Sequence, residues 1–244
     1  MKMLSGVYWD QGGRAVNQDS VALQQVMTGK GRVMMAVVSD GIGGLPEGET
    51  ASGYITERLI ESFYGQLVPL IGRKKGKKAL MRGLLRCFSS MNENLKHYGS
   101  SKEIQLGATV SLLFVWGRRY IIMHLGDSRI YLWRSYRLYK GRIKLLTKDH
   151  SAAGGGLTKC LGSFPFQYPD IQFGRLYGRS GFLLCTDGFY RRLDEEAFQV
   201  LAPDEIDNDE QIYRRLKEMA AVSLKKGEQD NLSAIYTTIY SRGQ

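Results

Sequence analysis

In the stretch Val33-Met34-Met35-Ala36-Val37-Val38-Ser39-Asp40-Gly41-Ile42-Gly43-Gly44, an uninterrupted apolar run leads into an acidic, glycine-rich turn. The apolar run has the length of a strand that is buried on both faces. Aspartate and glycine are common turn residues, so the strand is predicted to end at Asp40. The pattern therefore presents the Asp40 carboxyl group at the end of a buried strand.

On either side of this stretch, the sequence predicts further strands and several amphipathic helices. Apolar residues recur every four positions between Glu47 and Phe63 and again between Leu80 and Leu95, which indicates two helices. The other predicted helices are Asp194 to Leu201 and Asp209 to Lys225, and the other predicted strands are Val21 to Val26, Ala108 to Trp116, Tyr120 to Leu125, Ile130 to Trp133, Ile171 to Tyr177, Phe182 to Cys185 and Leu232 to Tyr240. Runs of strands with paired helices favour an α+β fold, and the short connections between the middle strands favour antiparallel hairpins.

An aspartate stands at the edge of a predicted strand in five separate segments. These segments are Asn17-Gln18-Asp19, Asp40-Gly41, Gly126-Asp127, Asp187-Gly188 and Asp230-Asn231. A single Asp-Gly pair indicates only a turn. Aspartates gathered at one edge of a sheet, however, would repel one another unless a cation lay between them. The set of five therefore predicts a cation site.

The residue types in this acidic set favour hard divalent cations. Mg²⁺ and Mn²⁺ take carboxylate, carbonyl and water oxygens at roughly 2.0–2.2 Å. The three histidines, His97, His124 and His150, lack ligand spacing, so zinc is disfavoured. Two such ions about 3.5–4 Å apart can activate a shared water for attack on phosphorus. The planar guanidinium of Arg14 is suited to hold the phosphate oxygens.

Length and composition predict a single domain that spans residues 1–244. The chain has 43% hydrophobic and 24% charged residues, which is ordinary for a globular protein. It contains no linker-like tract, no apolar run of about 18 residues and no apolar N-terminal stretch typical of a signal peptide. The three cysteines form neither a disulfide framework nor a zinc motif. We therefore expect a cytoplasmic monomer with reduced thiols and no membrane contact.

The formal charge of +10 raises the question of a nucleic-acid partner. The densest basic run is Arg73-Lys74-Lys75-Gly76-Lys77-Lys78, which lies between two helical patterns and contains no aromatic residue. We expect this run to be a solvated loop and expect no nucleic-acid partner. An excess of positive charge also attracts acidic or phosphorylated substrates.

Six motifs follow one another over nearly the whole chain. They are Arg14-Ala15-Val16-Asn17-Gln18-Asp19-Ser20, Ser39-Asp40-Gly41-Ile42-Gly43-Gly44, Gly107-Ala108-Thr109, Gly126-Asp127-Ser128-Arg129-Ile130-Tyr131, Leu183-Leu184-Cys185-Thr186-Asp187-Gly188 and Asp230-Asn231-Leu232-Ser233. In this order they resemble the metal-dependent type 2C serine/threonine protein phosphatases, the PPM family, and the bacterial branch most closely. The resemblance implies a four-layer α-β-β-α sandwich with two central antiparallel sheets. It also implies that the substrates are phosphoserine or phosphothreonine proteins, the products of a serine/threonine kinase.

The resemblance assigns roles to individual residues by motif position. It implies two Mn²⁺ or Mg²⁺ ions and allows a third. Asp40 is expected to bridge the two ions, and Asp187 and Asp230 are expected to complete the first. The carbonyl of Gly41 is expected to contact the second ion, to which Asp19 contributes directly or through water.

Two further residues receive a role in the same way. Asp127 matches an aspartate that, with the residue matched by Asp187, helps to hold a third and looser ion in bacterial relatives. Arg14 matches the phosphate-binding arginine of the family.

Three departures from the family pattern bear on activity. Gln18 stands where many relatives have glutamate, so the second ion is expected to be weaker or held mainly through water. Ile42 stands where animal members place a histidine proposed as the general acid, and isoleucine cannot donate a proton. The short stretch Ala152 to Gly156 replaces a longer flap, which predicts a more open rim and altered substrate choice with retained chemistry.

Other functions remain open at this point. Cys185 and Arg191 fit the Cys-x5-Arg loop of cysteine-dependent phosphatases, although Asp187 would place an anion inside that anion-binding loop. A binding module that keeps the fold without catalysis is a second alternative, but it would have no need of the full carboxylate set. The glycines of residues 41–44 and 154–156 complete neither a dinucleotide-binding motif nor a P-loop.

Overall fold

The described part of the chain forms ten β-strands and the helices between them. In the computed structural model, residues 2–71, 76–135, 143–153, 156–162 and 165–240 are described. The strands are β1 (Lys2–Asp10), β2 (Asp19–Thr28), β3 (Gly31–Asp40), β4 (Val110–Trp116), β5 (Arg119–Leu125), β6 (Arg129–Ser135), β7 (Ile143–Leu145), β8 (Asp170–Arg175), β9 (Arg179–Cys185) and β10 (Leu232–Tyr240). The α-helices are α1 (Gly48–Ser62), α2 (Val68–Ile71), α3 (Gly76–Lys102), α4 (Asp187–Tyr190) and α5 (Asp209–Lys225). A π-helical segment, Phe63–Leu67, joins α1 to α2.

The strands form two antiparallel sheets of five strands each. One sheet has the order β1-β10-β9-β6-β7, and the other has the order β2-β3-β4-β5-β8. Strand β3 lies inside the second sheet, between β2 and β4. Since both of its edges are paired and both of its faces are covered, every residue from Val33 to Ser39 is buried. This explains the continuous apolar run at Val33 to Val38.

Three hydrophobic clusters hold four layers together. Helices α1 and α3 pack on one face of the second sheet through residues such as Ile55 and Leu84, which belong to the same cluster as Val37 of β3. The other face of that sheet meets the first sheet through residues such as Val38 and Leu184. Helix α5 covers the outer face of the first sheet. The architecture is the predicted α-β-β-α sandwich, an α+β fold.

Most of the predicted elements are confirmed, and their differences from the structure are local. The segment predicted as a helix from Asp194 to Leu201 is a 3₁₀ helix, Glu195–Leu201, and Pro203 follows directly and prevents an α-helical extension. The connection from β5 to β6 is not a hairpin, because those strands belong to different sheets. The strands β1 and β7 and the short helix α4 were not predicted from the sequence.

The basic run contributes to a helix as well as to a connection. Residues 76–78 form the first turn of α3, which corrects the prediction of a loop at those positions. Residues 73–75 lie outside the described part of the chain. Among the described residues, no helix combines the length and the apolar character that crossing a membrane requires.

Candidate metal centre

Two of the predicted metal ligands, Asp19 and Asp40, face each other across neighbouring strands. They are direct partners in the register of β2 and β3. Burial, together with the nearby charge of Asp19, raises the pKa of Asp40 well above its usual range. Burial also raises the pKa of Asp19 to about 6. Because like charges opposite each other destabilise a sheet, the pair favours a proton or a cation between its carboxyl groups.

Thr109 and Ser128 hold the backbone around Asp40. The Asp40 N–H donates to the hydroxyl of Thr109 at 3.0 Å, and the Thr109 N–H donates to the carbonyl of Asp40 at 2.8 Å. The hydroxyl of Thr109 also lies 2.8 Å from that of Ser128. These bonds tie the end of β3 to the loop that carries Asp127.

Asp127 and Asp187 approach Asp40 from the first sheet. A carboxylate oxygen from each of the three aspartates lies within 4.8 Å of the other two. Asp127 lies in the connection from β5 to β6 that crosses between the sheets, and Asp187 begins α4. The hydroxyl of Tyr190 donates to the carbonyl of Asp127 at 2.9 Å, and burial raises the pKa of the Asp127 carboxyl group. The fold therefore unites three aspartates that are far apart in sequence.

Asp230 lies at the same site and forms an ion pair with Arg14. The guanidinium of Arg14 donates to both oxygens of Asp230, at 3.0 and 3.1 Å. Asn231 holds the Arg14 loop in position, because its side chain accepts from the Gln18 N–H at 2.8 Å and donates to the carbonyl of Gln11 at 2.8 Å. The predicted phosphate-binding arginine is thus at the site, paired with one of the predicted metal ligands.

A cleft of about 340 Å³ opens onto these groups. Six of the seven predicted site residues line it: Arg14, Asp40, Gly41, Asp127, Asp187 and Asp230. A larger cavity of about 620 Å³ lies on the other side of Ile42, but Lys96 and Glu103 are its only charged lining residues among those described. We assign the chemistry to the smaller cleft, because the carboxylates converge there.

The carboxylates at this cleft fit hard divalent cations. Asp19 is only 2% exposed, and its Oδ2 accepts from the hydroxyl of Thr186 at 2.8 Å. Its Oδ1 is buried and has no hydrogen-bond partner in the described part of the chain. A buried carboxylate oxygen without a donor is costly, and a cation or an ordered water would satisfy it. The oxygen-only donor set matches the preference of Mg²⁺ and Mn²⁺.

A comparison with protein families identifies the chain. Residues 11–235 match the family model for protein phosphatase 2C. The chain belongs to the protein phosphatase 2C family. By family, it is a metal-dependent protein serine/threonine phosphatase.

Solved structures of bacterial phosphatases share the fold. A bacterial serine phosphatase is 22% identical with a TM-score of 0.81, and the match covers 100% of both chains. Stp1 from Staphylococcus aureus is 22% identical with a TM-score of 0.80, over 99% of this chain and 96% of that one. The catalytic domain of PstP, in complex with two manganese ions, is 21% identical with a TM-score of 0.76, over 98% and 99%. No curated protein matches the sequence significantly.

Gln18, which departs from the protein phosphatase 2C pattern, lies at the edge of the cleft beside an acidic neighbour. Its side-chain nitrogen lies 3.4 Å from a carboxylate oxygen of Glu49, in the first turn of α1. The N–H of Gly41 donates to the Gln18 carbonyl at 3.0 Å. Gly41 must lack a side chain, because a Cβ atom there would lie 2.4 Å from the carbonyl oxygen of Gly48. Glu49, absent from the sequence prediction, thus supplies a carboxylate next to the uncharged Gln18.

The variant Gln18→Glu is expected to bind Mn²⁺ roughly tenfold or more tightly than the wild type. A new carboxylate at this edge adds about 1–4 kcal/mol of attraction to a cation a few ångströms away, and 1.4 kcal/mol is tenfold in affinity. Without metal, repulsion from Glu49 should lower the melting temperature of the variant. Isothermal titration with Mn²⁺ measures the affinity, and Gln105→Glu on the exposed surface is the control. Unchanged affinity would mean that residue 18 does not reach the cation.

The other two departures from the family pattern are Ile42 and the short Ala/Gly stretch of residues 152–156. Ile42 is half-buried and its N–H donates to the carbonyl of Gly107 at 3.0 Å. Ser151 and Leu157 form an antiparallel bridge at the rim of the cleft. Residues 154–155 of the Ala/Gly stretch lie outside the described part of the chain. The more open rim and the altered substrate choice stay predictions.

Cys185 is poorly suited to be the nucleophile of a cysteine-dependent phosphatase. It is fully buried at the end of β9, and burial raises the pKa of its thiol. Arg191, the arginine of the Cys-x5-Arg pattern, forms an ion pair with Asp187, whose carboxylate would repel a phosphate held by such a loop. The structure therefore disfavours the thiol mechanism.

The buried histidines support the fold and contact none of the clustered aspartates among their described partners. The rings of His124 and His150 stack with their centroids 4.9 Å apart. His124 contacts the hydroxyl of Ser111 at 2.8 Å and the carbonyl of Lys148 at 3.1 Å. Burial lowers the pKa of His124 to about 4, so the ring is neutral at physiological pH. His97 is exposed on α3.

Proposed function

We propose that this protein phosphatase 2C removes phosphate from phosphoserine and phosphothreonine in proteins, using two divalent cations held by the clustered aspartates. The proposal rests on one observation: a single carboxylate oxygen from each of Asp40, Asp127 and Asp187 lies within 4.8 Å of the other two. Asp19 and Asp230 are brought to the same group by β-pairing and by the loop before β10. A site of this composition suits oxygen-seeking cations.

The predicted metal ligands would form two neighbouring cation sites. Asp40 would contact both cations, and Asp187 and Asp230 would hold the first. Asp19 and the carbonyl of Gly41 would hold the second. When bound, such a pair of ions would supply a water activated for in-line attack on phosphorus.

Arg14 would bind and orient the phosphate. In the structure Arg14 lines the cleft, its guanidinium forms a two-point contact with Asp230, and about half of its side-chain surface is exposed. A cation on Asp230 would weaken this ion pair and free guanidinium N–H groups for phosphate oxygens. The same geometry that pairs with a carboxylate matches a phosphate.

The wider predictions follow from this function. The physiological substrates would be proteins phosphorylated by a serine/threonine kinase, and one catalytic domain would act as a monomer. A cytoplasmic location agrees with these substrates and stays a prediction.

Hydrolysis of phosphopeptides tests the proposal. Purified protein with Mn²⁺ is expected to release phosphate from phosphothreonine and phosphoserine peptides and from an aryl phosphate. The rate should rise with Mn²⁺ concentration and reach a plateau. A folded protein without any metal-dependent turnover would support the binding-only alternative and reject the enzyme.

A further inference from the structure

Arg191 places one permanent positive charge among three carboxylates at the cleft. It follows α4, and its guanidinium forms an ion pair with Asp187, four residues earlier. The other terminal nitrogen lies 3.7 Å from Glu228 and 3.7 Å from Asp230. Burial raises the pKa of the Asp127 carboxyl group, and the charge of Arg191 offsets part of that rise. A guanidinium does not lose its proton in proteins, so this charge is present at every metal concentration.

Glu228 is a buried carboxylate outside the predicted metal-binding set. It is 4% exposed, and its Oε1 accepts from the backbone N–H groups of Gln229 and Asp230 at 3.0 and 3.1 Å. Its Oε2 has no hydrogen-bond partner among the described residues, although Arg192 Nε lies 3.7 Å away. A buried carboxylate needs a nearby cation, and Arg191 supplies one. Glu228 thereby keeps the Arg191 side chain beside the metal ligands.

The charges at the site balance with two divalent cations. The carboxylates are Asp19, Asp40, Asp127, Asp187, Glu228 and Asp230, and the guanidiniums are Arg14 and Arg191. With all of these groups ionised, the site carries four net negative charges, which two divalent cations neutralise. A third divalent cation beside Asp187 would face the guanidinium of Arg191 at close range.

We propose that Arg191 is a built-in counter-cation that takes the place of a third divalent ion, so that this phosphatase binds two ions and not three. The guanidinium pairs with Oδ2 of Asp187, and Asp187 together with Asp127 is the pair that would hold a third ion. This inference rests on the proposed function, because it concerns the same carboxylates. Its test counts bound ions and does not measure hydrolysis.

A count of bound Mn²⁺ tests the role of Arg191. Free Mn²⁺ is measured by electron paramagnetic resonance during titration of the whole protein, for the wild type, Arg191→Gln and Arg192→Gln. The wild type is expected to bind two ions, and Arg191→Gln is expected to bind a third. Arg192→Gln is the matched control, because it removes an equal charge that also lies 3.7 Å from Glu228. It should still bind two ions.

A double variant locates the added ion. In Arg191→Gln combined with Asp127→Asn, the third ion is expected to be lost, while two ions remain. Thermal unfolding without metal checks that each variant is folded, and Arg191→Lys, which keeps the charge, should bind two ions as the wild type does.

Several results would overturn the inference. Three ions in the wild type, two ions in a folded Arg191→Gln, or a third ion that persists in the double variant would each contradict it. Each of these results leaves the proposed phosphatase activity standing, because two ions would still bind. A wild type that binds no Mn²⁺ would reject both proposals together.

Discussion

The Asp40→Asn variant is expected to lose more than about 100-fold of the Mn²⁺-dependent phosphatase activity. Loss of an outer partner of a metal ligand already costs roughly 10–100-fold in affinity or activity, and Asp40 is placed to contact both cations. An amide carries no charge to hold either ion. Steady-state hydrolysis of a phosphothreonine peptide at saturating Mn²⁺ measures the loss, and titration of Mn²⁺ should show weakened binding.

The melting temperature of Asp40→Asn without metal shows whether a loss of activity comes from unfolding or from weaker metal binding. Because Asp19, Asp127 and Asp230 repel the Asp40 carboxylate, the asparagine variant without metal should melt no lower than the wild type. Asp194→Asn makes the same chemical change on the surface, where Asp194 pairs with Lys226, and should keep its activity. An Asp40→Asn variant that is folded and nearly as active as the wild type would remove Asp40 from the reaction.

Removal of divalent metal is expected to abolish hydrolysis, whereas Cys185→Ala is expected to keep most of it. In the proposed mechanism the attacking water is activated only by bound cations, so turnover should fall to background in EDTA and return with added Mn²⁺. The buried Cys185 thiol, with its raised pKa, cannot act as a ready thiolate. Replacing it should lower the melting temperature through a small cavity and leave the chemistry in place.

The opposite pair of results would favour a cysteine mechanism. Activity that survives EDTA and disappears in a folded Cys185→Ala protein would reverse the assignment. Phosphate release in each case is compared with the same protein after readdition of Mn²⁺. This comparison separates loss of the metal from irreversible damage during chelation.

The sequence predicted strands correctly where burial on both faces produces a continuous apolar run. The run Val33 to Val38 became the middle of β3, and Leu232 to Tyr240 matched β10. β1 was missed because Ser5 and Gly6 interrupt its apolar positions, although β10 pairs along its whole length. The Asp187-Gly188 pair resembled a turn, and tertiary packing made it the first turn of α4.

The candidate site was predictable as a set of residue types but not as a set of contacts. Five aspartates at strand ends, together with the family motifs, indicated the cation site before any geometry was known. Arg191 and Glu228 carried no comparable signal, because each is one charged residue among many. Glu49 also gained its meaning only from its distance to Gln18.

The sequence by itself determined that Asp40 ends a buried strand, since apolar periodicity and turn residues act over a few neighbouring positions. Only the tertiary structure decided which charges meet there. Arg14 and Asp230 pair across 216 positions of the chain, and the crossing from β5 to β6 carries Asp127 to the other sheet. Such contacts depend on how two sheets stack, which no local pattern encodes. The ion pair of Arg191 with Asp187 is local, within one helical turn, whereas only the tertiary structure brings Arg191 close to Glu228 and Asp230.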